Sequence, residues 1–250
     1  HYTVMKIHFK YSLLAIVAAS LSLQSCLDLD PQDQLGGDKM WANATEYKQF
    51  ANNFYGWTRD FGSNDNGPHS DSRSDLVTFA TPNVYSKGTN TVPTGDGNYT
   101  NNYAHIRRCN LLLQNAANYS KPAEIAEYVG DAYFFRAYAY FELLQIYGDA
   151  IIVTDPIDVT SGQLQAKRND RKDVARFITQ DLTKAIELLP AYADIPAADD
   201  GHVSKEAAEA FLSRVALYEG TWQKFHNGDA TLVDSLLNVS AKAAKTVIDG

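Results

Sequence analysis

The stretch DAYFFRAYAYFELLQIYGD, residues 131–149, decides the fold of this 250-residue chain. Positions 132–147 are apolar almost all round, which is typical of a helix that is buried on several sides. Arg136 is a cation within this apolar run, and an unpaired buried charge is costly. We therefore expect its guanidinium to meet a backbone carbonyl or a buried carboxylate. The candidate acids are Asp131, Glu142 and Asp181.

Further helices are predicted on both sides of this stretch, from apolar residues that recur every three or four positions and from capping residues. Small residues at the helix faces, such as Ala137 and Ala208, suit close antiparallel crossings. The predicted fold class is therefore all-α, with tetratricopeptide-like helical hairpins and a long irregular loop region. The predicted helices cover 45–55, 103–118, 120–148, 170–189, 204–220 and 230–249, with N-caps at Asp170 and Ser204.

Residues 61–101 form the irregular region, where Gly and Pro interrupt every periodic pattern. A loop this long is uncommon inside a globular chain and is usually functional or disordered. Its interleaved aromatic residues favour order, and 13 of the 16 Asn residues lie between Asn43 and Asn118. Aromatic rings can stack on the C–H faces of a sugar, while amides and carboxylates bind its hydroxyls. The aromatics of the helices, including Tyr147, are instead predicted to fill the hairpin core.

The first forty residues are predicted to be an address and a tether. After Lys6 and Lys10, the uncharged run LLAIVAASLSL at 13–23 is too short to cross a bilayer but typical of a signal peptide. The sequence Leu-Gln-Ser-Cys at 23–26 resembles a bacterial lipobox, so Cys26 is the predicted lipidation site. We expect residues 1–25 to be a lipoprotein signal peptide, with 1–4 as upstream read-through, and residues 26–40 to be an extended tether.

The charge balance excludes nucleic acid as a partner. Lys and Arg number 22 against 30 Asp and Glu, a net charge of −8, and removal of residues 1–25 takes away two Lys and no acid, which leaves −10. Binding to a phosphate backbone requires a basic surface instead. Two cysteines are too few for a disulfide-stapled secreted domain.

Catalytic and metal-binding patterns are absent from the sequence. It has no Gly-x-Ser-x-Gly, His-Glu-x-x-His or phosphate-binding Gly-Lys-Ser/Thr motif. His105 and Cys109 lie one helical turn apart, but two ligands do not complete a zinc site, and a packed pair is the favoured interpretation. The acidic pairs near Asp199 and Asp71 lack the spacing of a calcium loop. We therefore expect a non-enzyme without metal or cofactor.

Three segments, together with the start of an earlier helix, resemble SusD/RagB-type outer-membrane lipoproteins. In that family an Arg-Ala-x-x-Tyr-Phe-x-Leu core ends in Tyr/Phe-Gly-Asp, as the 131–149 stretch does here. Two later helices also match the family, and an earlier helix begins with the family's Tyr-x-x-Ile-x-x-x-Asn pattern. All four occur in the same order as in the family. The matching segments are 103–110, 131–149, 171–190 and 201–218. The acids Asp28 and Asp30 behind Cys26 also resemble a surface-export signal of Bacteroidota lipoproteins.

The resemblance implies a lipid-anchored protein on the outer face of the bacterial outer membrane. Such proteins capture oligosaccharides and deliver them to a SusC-like TonB-dependent transporter, and a RagB-like branch binds peptides. Residues 41–250 then correspond to the N-terminal helical region of the family, with the C-terminal half missing. A tetratricopeptide-type scaffold that binds another protein is the alternative from a different class, and a secreted hydrolase is a third.

The resemblance also places the ligand-binding residues. The family's aromatic platform and its amide correspond to Tyr99 and Asn102, with Tyr99 at a position where Trp is common. The acids of a Ser-Asp stretch correspond to Asp71 and Asp75. Two of these four residues could have a structural role instead of a role in binding. Asn102 could cap a helix that starts at Tyr103, and Asp71 could cap a turn. The three Trp residues are predicted to pack against the core or the tether.

Overall fold

The computed structural model describes residues 40–58, 71, 74, 76, 80–81, 83–156, 165–226 and 228–249. Within the compact unit Trp41–Gly250, each α-helix from Gly97 onward packs against the next one along the chain. In this described part there is no β-strand, and the β-type pairing consists of a single bridge between Ala150 and Asn169. The prediction of an all-α fold is confirmed. The helices are α1 Ala44–Asn52, α2 Gly97–Ala116, α3 Ala126–Tyr147, α4 Arg171–Leu188, α5 Lys205–Phe225 and α6 Ala230–Asp249.

Helix α3 is the centre of the unit, as its apolar sequence predicts. Twelve of its residues are buried, and it packs against both α2 and α4. The buried guanidinium of Arg136 pairs with Asp181 of α4 and also donates to the side chain of Asn110 on α2. Of the three candidate acids, Asp181 is therefore the partner. This polar contact holds three helices at one point inside an otherwise apolar core.

Four helix ends differ from the sequence prediction by three residues or more. Helix α1 ends at Asn52 and not at 55, and α3 begins at Ala126, after the 3₁₀ helix Pro122–Ile125, and not at 120. Helix α2 begins at Gly97, not at Tyr103, because Asp96 is its N-cap and accepts a hydrogen bond from the Asn98 backbone N–H at 2.9 Å. Helix α5 does not stop at Gly220 but continues to Phe225. Gly220 instead allows α6 to approach, since a Cβ there would lie 3.0 Å from a terminal carbon of Leu237. The predicted glycine stop is a close-packing position.

The cap positions before α4 and α5 are as predicted, but only one of them works through its own side chain. Ser204 accepts a hydrogen bond from the Ala207 backbone N–H at 3.2 Å. Asp170 makes no side-chain capping bond, and the Arg171 backbone N–H donates to Asp149 at 2.9 Å instead. The helix start is therefore tied to the turn that ends α3.

The chain after α3 runs extended from Ala150, and side chains of α2 and α3 satisfy its backbone groups. The Tyr103 hydroxyl accepts from the Ile151 N–H at 2.8 Å, and the Tyr140 hydroxyl accepts from the Val153 N–H at 2.7 Å. Asn110 donates to the Val153 carbonyl at 2.9 Å. Buried backbone groups need such partners where no sheet supplies them. These bonds fix α2 against the end of α3, where the candidate site lies.

Candidate functional site

A tyrosine cluster lies where the first turns of α2 meet the last turn of α3. Tyr99 packs edge-to-face against Tyr147, with ring centroids 5.4 Å apart and an interplanar angle of 86°. Its other neighbour is Tyr103, with ring centroids 4.7 Å apart and an interplanar angle of 48°. All three rings are half-buried and pack against the core. Tyr99 is therefore held by two neighbouring rings while part of its surface faces solvent.

Asp96 links this cluster to the start of α2. One carboxylate oxygen caps the helix at Asn98, and the other accepts a hydrogen bond of 2.6 Å from the Tyr147 hydroxyl. Burial, and then the neighbouring Asp96 carboxylate, raise the pKa of Tyr147 above its ordinary value. Tyr147 is therefore a neutral donor at physiological pH. A single carboxylate positions both the helix turn that carries Tyr99 and the ring that braces it.

Asn102 lies one turn further along α2 and is half-buried. Its side-chain nitrogen donates to the Asn98 backbone carbonyl at 2.8 Å. Asn102 is therefore inside the helix, and the alternative that it caps a helix starting at Tyr103 is wrong. Tyr99 likewise belongs to the first turn of α2, although its sequence context predicts a loop. The two residues are three positions apart, so α2 presents them side by side.

The segment before α2 exposes three large apolar side chains. Val84, Tyr85 and Val92 are 52%, 45% and 96% exposed. A turn holds the first two, since the Asn83 side chain accepts from the Tyr85 N–H at 2.9 Å and the Thr89 N–H donates to the Val84 carbonyl at 3.0 Å. The negative charge of a Tyr85 phenolate would contribute to the raised pKa of Tyr147. Tyr85, one of the interleaved aromatics of the irregular region, is therefore a neighbour of the site.

The other predicted site residues are Asp71, Asp75 and Cys26. Asp71 is exposed, and its backbone carbonyl accepts hydrogen bonds from the Ser74 N–H and hydroxyl, as in a turn. Asp75 and the predicted lipidation site Cys26 lie outside the described residues. Among the residues that the structure describes, no hydrogen bond joins Asp71 to Tyr99 or Asn102. The grouping of Asp71 and Asp75 with the platform stays a prediction.

The pair His105 and Cys109 is a packed pair in the structure. Cys109 is fully buried in the core, and burial raises the pKa of its thiol. His105 stacks on Trp57, with centroids 4.0 Å apart and planes at 10°. Among the described residues, no group of three or more His, Cys, Asp or Glu side chains could hold a metal ion. Asp199, one of the acids considered for calcium, pairs with Lys48 at 2.6 Å.

The three Trp residues have different surroundings. Trp41 and Trp57 pack against the core, as predicted, and Trp41 contacts both Tyr47 and Phe50 with centroid distances of 4.9 Å. Trp222 is half-buried rather than in the core. It lies between His226, whose ring stacks on it at 4.4 Å, and the guanidinium of Arg171, which is 4.2 Å from the ring centroid.

Sequence reasoning missed two residues of the candidate site, Tyr147 and Asp96. Tyr147 was predicted to fill the core, but it lies at the core's edge and braces Tyr99. Asp96 precedes a Gly and an Asn, and the capping preference of Asp could have identified it as the start of α2. Nothing in the sequence indicates that one carboxylate serves both residues, because Asp96 and Tyr147 are 51 positions apart.

Comparison with known proteins identifies the class of protein. The SusD-like family model, described as "Starch-binding associating with outer membrane", matches residues 31–217. The chain therefore belongs to the SusD-like family.

Several known proteins are similar to this chain. A SusD-like protein of Formosa agariphila is 27% identical over 124 residues, which make up 48% of this chain and 23% of that protein. The crystal structure of a SusD-like protein from Bacteroides fragilis superposes with a TM-score of 0.64 at 24% identity and covers 85% of this chain and 40% of its own. A SusD-like carbohydrate-binding protein from the same strain gives a TM-score of 0.64 at 20% identity, with 84% and 41% covered.

The chain thus spans less than half the length of these relatives. The two structures show the same fold for the shared part. Within the described residues, every helix is too short or too polar to span a membrane.

Proposed function

We propose that this chain is the helical region of a surface glycan-binding protein that captures oligosaccharides. The observation that carries the proposal is the half-exposed Tyr99, braced by Tyr147 and followed one turn later by Asn102. Membership of a family described as starch-binding supports the same assignment. The site is proposed for binding without turnover.

The chemistry of the cluster suits a sugar. The ring of Tyr99 offers a π-face for the C–H groups of a pyranose, and its edge-to-face contact with Tyr147 keeps that face in a fixed orientation. Asn102 offers an amide oxygen that, among the described residues, accepts no hydrogen bond, while its nitrogen is used within the helix. A sugar hydroxyl can donate to such an oxygen. Rigid positioning of this kind lowers the entropy lost on binding.

The charge of the site favours an uncharged glycan. The carboxylate of Asp96 lies within the cluster, hydrogen-bonded to Tyr147, and the whole chain carries a formal net charge of −8. A uronate or sulfate group would experience repulsion both at the site and during approach. We therefore propose neutral oligosaccharides as the ligand class.

The cellular context is proposed from the sequence and from the family. Residues 1–25 would direct export, Cys26 would carry the lipid, and residues 26–40 would hold the helical region away from the membrane surface. A stable anchor of this kind requires more than one acyl chain. The family description associates its members with the outer membrane, and a SusC-like transporter is the proposed recipient of the glycan.

Isothermal titration of the full chain against neutral and anionic polysaccharides tests the proposal. Starch, laminarin, xyloglucan and mannan represent the neutral class, and pectin and alginate the anionic class. We expect binding to at least one neutral glycan and a loss of about tenfold or more for Tyr99→Ala.

The matched control is Tyr192→Ala, since Tyr192 is 65% exposed on a short 3₁₀ turn and makes no ring contact in the described structure. Binding of peptides with no response to any glycan would move the protein to the RagB-like branch. Capture of a protein partner without either ligand would favour a tetratricopeptide-type scaffold. Release of reducing sugar would overturn the assignment as a non-enzyme.

A further inference from the structure

A second aromatic surface lies one turn beyond Asn102 on the same helix. His105 of α2 stacks on Trp57, the last residue of the 3₁₀ helix Asn53–Trp57 that follows α1. The inner side of Trp57 packs on Phe54 at 4.7 Å and, edge-on, on Phe135 at 6.1 Å. His105 and Trp57 themselves remain half-buried. The core thus supports a two-ring stack that retains solvent-facing surface.

This stack continues the row of the proposed sugar site. Tyr99, Asn102 and His105 follow one another at spacings of three, so they form an oblique row in which each residue is turned about 60° around α2 from the one before. Tyr99 and His105 are six positions apart, which corresponds to about 9 Å along the helix axis and about 120° around it. Three linked pyranose rings are needed to place one ring at each end of such a distance. Asn102 lies between the two aromatic ends.

The chemistry of His105 suits a sugar rather than an ion. Burial, and then the positive charge of Arg108, lower the pKa of His105 to about 4. The imidazole is therefore neutral at physiological pH and offers one N–H donor and one nitrogen acceptor. A neutral ring with both functions matches the hydroxyls of an uncharged sugar, as the amide of Asn102 does.

We propose that the stacked pair His105 and Trp57 is a second sugar subsite, which with Tyr99 and Asn102 makes α2 a binding surface for a linear run of neutral sugar residues. This proposal rests on the proposed function. It predicts that chains of three or more sugar units bind more tightly than shorter fragments, and that the affinities of the short fragments differ little from one another. The occupant is an extended neutral oligosaccharide, with one ring at Tyr99 and another at the His105 stack.

A matched control exists within the chain. His226 stacks on Trp222 with centroids 4.4 Å apart and planes at 9°, which is nearly the geometry of His105 on Trp57. It lies at the C-terminal end of α5, on a different helix from Tyr99 and Asn102. Loss of His226 removes the same kind of stack without touching the proposed subsite.

Titration of maltose, maltotriose and maltoheptaose, and of the corresponding series from any other neutral glucan that the full chain binds, tests the subsite. For His105→Ala we expect affinity for the seven-unit chain to fall about 3- to 10-fold, the range of one aromatic contact. Affinity for the disaccharide should not change, and His226→Ala should alter neither. His105→Asn and Trp57→Phe repeat the measurement if the Ala variant melts early, and both should show the same dependence on chain length.

Each other outcome has a defined meaning. Unchanged affinity of the His105 variants for every chain length overturns the proposed subsite. An equal loss of affinity for short and long chains also overturns it, because it indicates that the stack only supports the helix. If Tyr99→Ala still abolishes binding in those cases, the proposed function stands. If the unmodified chain binds no glycan of any length, the proposed function fails first.

Discussion

The guanidinium of Arg136 is bound to the carboxylate of Asp181 by two parallel hydrogen bonds, Nε to Oδ2 at 2.7 Å and Nη2 to Oδ1 at 2.8 Å. The two side chains are 5% and 1% exposed. A third bond of 2.7 Å runs from Nη1 to the side-chain oxygen of Asn110. Planar geometry of this kind suits Arg and not Lys. The pair therefore specifies how α2, α3 and α4 meet.

Removing one partner of this pair should be severe. We expect Asp181→Asn to lower the free energy of unfolding by about 3–5 kcal/mol, since it leaves a buried guanidinium without its counter-charge. Urea denaturation monitored by circular dichroism measures the change. The double variant Arg136→Met with Asp181→Leu should recover much of the loss, because it removes both charges. A double variant no more stable than Asp181→Asn would contradict this account.

The buried acid Asp131 should make stability depend on pH. It accepts a 2.8 Å hydrogen bond from Tyr55, and its second oxygen has no partner among the described residues. The pKa of Asp131 is raised to about 8, mainly by burial and to a smaller extent by the charge of Glu127, while the Tyr55 bond opposes the shift. The folded state then holds a proton that the unfolded chain, with a pKa of about 4, has lost.

The raised pKa of Asp131 fixes the sign of the pH dependence of stability. Between about pH 4 and pH 8 the folded state binds more protons than the unfolded state, so stability should fall as pH rises, by up to about 1.4 kcal/mol per pH unit from this group. Denaturant midpoints at pH 5, 6.5 and 8 measure it. Asp131→Asn should flatten the dependence, whereas Glu127→Gln should reduce it only in part. His202→Gln, a change at the ring that stacks on Tyr55 at 4.5 Å, serves as a further control.

The cap of α2 should connect stability to ligand affinity. Asp96→Ala removes both the N-cap and the partner of Tyr147, so we expect a loss of about 1–2 kcal/mol and weaker glycan binding as the first turn frays around Tyr99. Asp96→Asn keeps a capping oxygen and should retain most of the stability. The control Ser204→Ala removes the equivalent cap of α5 and should lower stability without changing affinity. Equal affinity losses for both caps would argue against a local effect.

Gly130 should tolerate no side chain. A Cβ at this position would lie 2.9 Å from Cγ of Leu189, a buried residue just beyond the end of α4. We expect Gly130→Ala to destabilise the protein by about 1–3 kcal/mol through overpacking, despite the better helix propensity of Ala. Gly56→Ala is the matched control, since no heavy atom lies within 4 Å of its added Cβ. Thermal melting of the two variants should therefore give clearly different midpoints.

The helices could be predicted from sequence because their signals are local. Apolar periodicity predicted the central helix and its neighbours, and Ser204 was identified correctly as a cap. The start of α2 was missed because the stretch from Gly97 to Asn102 is polar and contains three Asn residues, which have a low intrinsic helix propensity. The capping bond of Asp96 and the packing of Tyr99 overcome that preference. Tertiary contacts of this kind carry no periodic signal.

The candidate site was predictable only in part. Resemblance to the family gave Tyr99 and Asn102, and the structure shows them adjacent on α2, although their role in binding remains a proposal. The brace of Tyr147 and the stack of His105 on Trp57 were not foreseen. Each joins residues 48 positions apart in the sequence, so neither spacing nor composition could reveal it.

The sequence by itself determined that this protein is helical, which faces of its helices are buried, and that Arg136 must meet a partner. These follow from hydrophobic periodicity and from the cost of burying a charge, both of which act on each helix separately. Only the tertiary structure decided that the partner is Asp181, that Asp96 holds Tyr147 against Tyr99, and that His105 lies on Trp57. Such choices depend on distances between segments far apart in the chain, and packing alone sets those distances.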